Sequence, residues 1–353
     1  MSQALVCPFY FLSPIFSRGR NIMNSKKKKV LIVLAVIAII FIAAIISQTR
    51  IFKPSFGSRV ARLTVKLYLA PAFTSKDFVH NVRNRLENIS KLALLPPGTK
   101  VEEVSIGNMK ADWISANGVD PKGKKAILYI HGGGFLAGSR NTHREMVARI
   151  SKASGLPVLV PEYRLAPENK FPAALDDCLA AYRWLLKQGY QPRNIAIGGD
   201  SAGGCLTLMT LISLRDAGTG LPGAAFLLSP LTDAVNYEGE TIQTKAGIDP
   251  WFDPKDIPKH LGLFSDNFKI MSPLLSPVRM NLAGLPPILI HVGTDEILLS
   301  DSTRLAERAK KAGVDTTIHV WDGMWHVFQS FAVIIPEARD AIDEIGEFLK
   351  KRI

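Results

Sequence analysis

Apolar positions along this chain follow two rhythms. Short apolar runs at 127–130, 158–161, 195–198, 225–228, 288–292 and 317–320 have the length and composition of buried strands. Between them, apolar residues recur at helical spacing near 142–153, 172–187, 202–215 and 301–312, and a last helix falls near 337–351. This alternation predicts the α/β class, with a mostly parallel central sheet and helices on both faces. Ahead of it, 59–70 and 75–95 carry helical spacing, separated by Pro71, and 101–106 and 111–115 read as strands. The stretch 232–285 breaks the rhythm and is rich in Pro, Gly and aromatic residues. No internal repeat or low-complexity region stands out.

One run has no polar face at all. Residues 30–46 are 17 apolar residues without a charge or a proline. As a helix they span about 25 Å, near the lower limit for crossing a bilayer. Lys26, Lys27, Lys28 and Lys29 precede the run, which places the amino terminus inside and the rest of the chain outside. The reading is therefore a basic segment at 1–29, an N-terminal transmembrane helix within a membrane anchor at 30–47, and a catalytic region on the extracytoplasmic side. A cleaved signal peptide is the alternative, although no clean small-x-small site follows Ala44. Met23 opens directly into this basic and apolar pattern and is a candidate for the true start.

The charge follows the same division. The chain has 353 residues and a net charge of +12, yet residues 1–76 hold 12 Lys or Arg and no acid, which leaves 31 of each sign in residues 77–353. The excess belongs to the membrane-like end, so it is no argument for nucleic acid. No zinc spacing, P-loop or nucleic-acid motif is present. Cys7, Cys178 and Cys205 make no disulfide framework.

Four segments carry chemistry. Gly199-Asp200-Ser201-Ala202-Gly203 is a Gly-x-Ser-x-Gly string between a strand-like run and a helix-like segment. In that context the serine sits on a strained turn at a helix N-terminus, its hydroxyl presented above the sheet. Upstream, His131-Gly132-Gly133-Gly134-Phe135 follows another strand-like run. Glycine amides approach an oxyanion unobstructed, so Gly133 and Gly134, with Ala202, are the expected donors of an oxyanion hole. His131, Gly132 and Asp200 are its expected supports.

The base needs a carboxylate to orient its imidazole. Asp295 stands at the end of a strand-like run, where catalytic groups of open α/β sheets collect, and is read as that acid. Glu296 is read as its neighbour, and Asp301 as an N-cap or first-turn residue. His326, in a loop between a late strand and the terminal helix, is read as the base. His131 braces the glycine loop, His291 and His319 lie within strand patterns, and His80, His143 and His260 show no partner signal. Acyl transfer through Ser201, with activity falling below the pKa of His326, about 6.5 if unperturbed, is the mechanism these parts imply.

With these residues in hand, the chain resembles the hormone-sensitive-lipase-like family of α/β-hydrolases, the bacterial family IV esterases. The order Ser201, Asp295, His326 is that of α/β-hydrolases. The matching pieces are His131 to Phe135, Tyr163-Arg164-Leu165-Ala166-Pro167-Glu168, Phe171-Pro172-Ala173-Ala174, Gly199 to Gly204, Asp295 and His326. The resemblance implies a catalytic domain at 96–353 and a helical cap. Cap helices at 54–95 would line the acyl pocket, with a second part of the cap near 232–285. It also implies a carboxylic-ester hydrolase for short or medium acyl chains that needs no cofactor. Two departures are Asn169-Lys170 after Pro-Glu, where relatives often have histidine and proline, and Glu296-Ile297-Leu298 after Asp295, where they often have Pro-Leu. With a membrane anchor, lipophilic esters become candidate substrates. An amidase, deacetylase or lactone hydrolase using the same triad, and a non-catalytic ligand-binding relative, are the alternatives.

Overall fold

The computed structural model describes residues 54–120, 122–235, 237–265 and 272–353. Eight strands form one sheet in the order β1-β2-β4-β3-β5-β6-β7-β8. They are β1 (Lys100–Ile106), β2 (Met109–Ser115), β3 (Ala126–Ile130), β4 (Val158–Pro161), β5 (Ile195–Asp200), β6 (Ala224–Leu228), β7 (Ile288–Gly293) and β8 (Thr316–Trp321). β1 pairs with β2, and β2 with β4, antiparallel; every pairing from β4 to β8 is parallel.

The apolar runs are unbroken because both faces of these strands are covered. Leu128, Ile130, Ile195, Ile197, Ala225 and Leu227 pack into one core, and their alternating neighbours, such as Ile127, Tyr129, Ala196 and Phe226, into another. That is the two-residue period of a strand buried on both sides. The first core takes in α4 (Ala173–Lys187), α5 (Ala202–Asp216) and α7 (Leu299–Lys311). The second takes in α3 (Arg140–Ser154) and α8 (Pro336–Arg352). α3 begins at a capping box made by Ser139 and Thr142 and ends at Gly155 in the left-handed conformation.

Before the sheet stand α1 (Phe56–Thr64) and α2 (Phe78–Ser90). Pro71 does not stop the first helix. A wider π-helical stretch, Val65–Leu69, leads into a last turn, Ala70–Phe73, where proline falls at the tolerated start. Between β6 and β7 the chain makes the short helix Glu240–Thr244 and then α6 (Ile257–Phe264).

The expected N-terminal transmembrane helix is corrected. Among the described residues no helix is long and apolar enough to cross a membrane. α5 is apolar nearly all round, but it has 15 residues and is buried by the sheet and its neighbours, which accounts for its lack of a polar face. The segments 1–29 and 30–47, with Cys7 and Met23, lie outside the described residues. The membrane partner, the membrane localisation and the extracytoplasmic placement rested on that helix and fall with it.

Candidate active site

Ser201 links β5 to α5 with φ 53° and ψ −120°, a conformation that an L-residue adopts only under constraint. The motif glycines supply the constraint. A Cβ on Gly199 would lie 2.5 Å from Ile130 O, and one on Gly203 would lie 2.1 Å from the same oxygen. Only with both side chains missing does α5 start this close to β3. The Ser201 amide donates to Leu228 O (2.8 Å), which ties the turn to β6.

The glycine loop meets this turn from β3. Asp200 Oδ1 accepts from the Gly132 amide (3.0 Å) and the Tyr129 hydroxyl (2.8 Å). Gly132 is needed there, since its Cβ would lie 2.2 Å from Asp200 Oδ2. His131 Nδ1 donates to Gly132 O (2.9 Å), its ring stacks on Tyr163 at 4.1 Å, and the Tyr163 hydroxyl donates to His131 O (2.8 Å). Arg83 of α2 holds the far end through Leu136 O (2.7 Å) and Glu168 (2.7 Å). Gly133 and Gly134 line a cavity together with Ser201, and among the described residues their amides donate to no protein acceptor. The Ala202 amide, at the first turn of α5, belongs to the group that has no partner within its own helix.

His143 shows no partner signal in the sequence, and the structure gives it one. Its Nε2 lies 3.3 Å from Asp200 Oδ1, and its Nδ1 faces Ser139 O (3.3 Å) and Thr142 Oγ1 (2.8 Å). Burial opposes its charge, but Asp200 outweighs burial and raises its pKa above the ordinary histidine value. Burial acts against the Asp200 carboxylate too, yet His143 and Tyr129 hold its pKa below the usual range. His131, buried and beside His143, is pushed down to about 3 and is neutral.

The acid is where the structure departs most from the sequence reading. His326 Nδ1 lies 3.0 Å from Glu296 Oε2, not on Asp295. Both partners are buried, His326 at 3% exposure and Glu296 at 0%. Glu296 Oε1 accepts from the Gly293 amide (2.6 Å) and the Ser229 hydroxyl (2.8 Å), and the Ser229 oxygen accepts from the Val327 amide (3.0 Å). Asp295 instead turns outward and bonds Arg62 of α1 at 2.6 Å. The reason is local. β7 ends at Gly293, whose missing side chain lets the chain pass against Met324 O, where a Cβ would lie at 2.1 Å. In the turn that follows, adjacent side chains point to opposite sides, one to His326 and one to α1. Burial disfavours the imidazolium of His326, but the Glu296 contact, helped by Asp249 and Asp200, raises its pKa above the ordinary value.

Two segments distant in sequence enclose the cavity above Ser201. It is lined by Phe73, Phe78 and Val82 from the amino-terminal helices and by Phe252, Ile257 and Leu261 from the stretch between β6 and β7. Phe252 packs edge-on against His326 at 5.1 Å. Buried Asp249, in the same loop, accepts from the Trp251 amide (2.9 Å) and the Ile297 amide (3.0 Å), next to Glu296. Burial, with Glu296 nearby, pushes its pKa up to about 6. Arg62 also donates to Ile248 O, so it joins α1, the Asp295 turn and this loop. Three-residue acidic or histidine clusters fit to hold a metal are absent among the described residues.

Ser229, Asp249, His143 and Arg62 were not foreseen, since their partners lie tens to hundreds of residues away. The one available signal was Glu296 itself, one position from the residue chosen. Of the remaining histidines, His291 and His319 meet at Glu344 (3.3 and 2.8 Å), His80 reaches Asn84, and His260 faces Phe73 O (3.3 Å).

Known proteins carry the same arrangement of chain. Residues 127–330 match the α/β hydrolase fold family. An acetyl-hydrolase of Streptomyces hygroscopicus is 38% identical over 256 residues, which cover 72% of this chain and 83% of that one. Esterase LipU of Mycobacterium tuberculosis is 37% identical over 267 residues, covering 73% and 89%. Among solved structures, an esterase from the bacterial hormone-sensitive lipase family superposes with a TM-score of 0.80 at 41% identity, covering 85% of this chain and 99% of that one. The esterase EstE5, soaked with p-nitrophenyl butyrate, superposes with a TM-score of 0.78 at 41% identity, covering 84% and 98%.

Proposed function

Because the chain belongs to the bacterial hormone-sensitive-lipase-like family of α/β-hydrolases and is an esterase, we propose that Ser201 is its nucleophile, His326 its base and Glu296 the acid that orients the base. The observation that carries this reading is the buried contact of Glu296 with His326 Nδ1. It leaves Nε2 for the proton of the serine hydroxyl.

Neutral His326 takes that proton as Ser201 Oγ attacks the ester carbonyl. The carbonyl oxygen becomes an oxyanion, and the Gly133, Gly134 and Ala202 amides are its donors, each worth about 3 kcal/mol in comparable sites. The imidazolium, stabilised by Glu296, then protonates the leaving alcohol. Water attacks the acyl-enzyme by the same route, its proton going to His326, and the carboxylic acid is released.

The apolar cavity beside Ser201 supports an acyl group of short to medium length. The relatives' names, an acetyl-hydrolase and an esterase soaked with a butyrate ester, agree with that range. The residues at 54–95 and 232–285 act as the two halves of a cap over the catalytic domain. The test is hydrolysis of p-nitrophenyl esters from two to sixteen carbons by the full chain, beside Ser201→Ala. Turnover that is abolished in the variant supports the reading. A folded protein whose turnover survives Ser201→Ala removes Ser201 as the nucleophile, and one that cleaves amides but no ester removes ester hydrolysis as the reaction.

A further inference from the structure

A second and larger cleft lies against the first. Its walls come from α1 and the turn after it (Arg62, Lys66, Thr74) and from the loop 247–256 (Trp251, Asp253, Asp256). Phe73, Phe252 and His260 line both spaces. They are therefore the wall between the cavity that holds Ser201 and the cleft outside it.

The wall is built from both halves of the enclosure. The Phe73 ring meets Phe252 edge-on at 5.3 Å and Trp251 at 6.3 Å. His260, from α6, stacks on Phe78 at 4.2 Å and lies 6.0 Å from the Phe73 ring. Its Nε2 faces Phe73 O at 3.3 Å, which holds the turn that carries Phe73, and the Phe73 side chain packs against the small cluster of Ala72, Val82 and Ala137 as well as against these rings. The inner side of the wall is apolar, with Val79, Leu261 and Leu298. The outer side mixes aromatic rings with charges of both signs.

We propose that the Phe73 ring, backed by Phe252, sets the upper limit on acyl length, and that the outer cleft is a latent subsite for the distal part of chains too long for the inner cavity. This rests on the esterase reading. Phe73 and Phe252 share the lining of the inner cavity with Ser201, and the space to receive a longer acyl chain lies on the other side of them. Phe73 is the separable member of the pair, because Phe252 also packs on His326. Truncating Phe73 opens the wall and leaves the His326–Glu296 contact untouched.

The experiment compares kcat/KM for p-nitrophenyl esters of four to sixteen carbons in the full chain with Phe73, and with Phe73→Ala, Phe73→Leu and Phe73→Trp. The twelve-carbon to four-carbon ratio should rise at least tenfold in Phe73→Ala and by less in Phe73→Leu, and fall in Phe73→Trp. Affinities of hexanoate and dodecanoate, measured calorimetrically in the Ser201→Ala background, read the same wall without turnover. Phe73→Ala should tighten dodecanoate relative to hexanoate by a similar factor. Unchanged ratios in both measurements overturn the partition while leaving ester hydrolysis standing. A selective gain in dodecanoate affinity without ester turnover in any Ser201 protein supports the wall and overturns the esterase reading instead.

Discussion

Replacing Glu296 with glutamine, beside Asp295 with asparagine, separates two carboxylates that adjoin in sequence and face opposite ways. Glu296 is buried and accepts from His326, Ser229 and the Gly293 amide. Glutamine keeps the shape but removes the charge, and its amide nitrogen must face at least one of three donors. Loss of the orienting carboxylate in serine triads costs about 10⁴-fold in kcat, which is about 5.5 kcal/mol of transition-state stabilisation. Asp295 makes one ion pair with Arg62, with side-chain exposures of 26% and 29%. Such a pair, screened by solvent, is worth about 0–1 kcal/mol. Asp295→Asn should therefore lose less than about tenfold in kcat/KM, and the gap between the two variants should be about 10³-fold. The assay is p-nitrophenyl butyrate hydrolysis at pH 8, with circular dichroism and thermal melting to show that both variants fold. Asp295→Asn inactive and Glu296→Gln active, both folded, would refute the assignment of the acid.

Other outcomes follow from the same contacts. The acid limb of kcat/KM should lie above the ordinary histidine value, because the His326 pKa is raised and the neutral ring is the proposed base. In Glu296→Gln the residual activity should have its limb at lower pH, and a limb that stays in place counts against the His326–Glu296 coupling. His143→Leu leaves the buried Asp200 carboxylate without its cationic partner, a loss of about 3–5 kcal/mol. The folded pKa of His143 is raised, so its contribution is full below the unfolded histidine value and fades as pH rises through the folded one. Denaturant titrations of wild type and variant should accordingly converge with rising pH, and a gap that widens contradicts the pair. Gly203→Ala places a Cβ 2.1 Å from Ile130 O and 2.6 Å from His131 O, both backbone. It should destabilise the fold by about 3 kcal/mol or prevent folding, and a soluble variant with the wild-type melting temperature refutes the close-approach argument.

Much of the sheet was legible because burial on both faces writes an unbroken apolar run, and helices between such runs leave their own period. The Ser201 elbow and the glycine loop were legible for a related reason. Each depends on missing side chains, and glycines at fixed spacing are visible in a string of letters. The carboxylate was not legible. Asp295 and Glu296 have the same charge and occupy the same turn, and the choice between them is made by which way the chain leaves β7.

The amino-acid sequence alone determined the strand and helix order, the Ser201 turn and the family, because those depend on local periods and on close backbone approaches that admit only glycine. Tertiary structure alone decided that Glu296 meets His326, that His143 meets Asp200, and that Phe73 and Phe252 share a wall. These are contacts between segments as much as 179 positions apart, as Phe73 and Phe252 are. No local period encodes them, since they arise only when the sheet brings its strand ends together and the two flanking segments close over them.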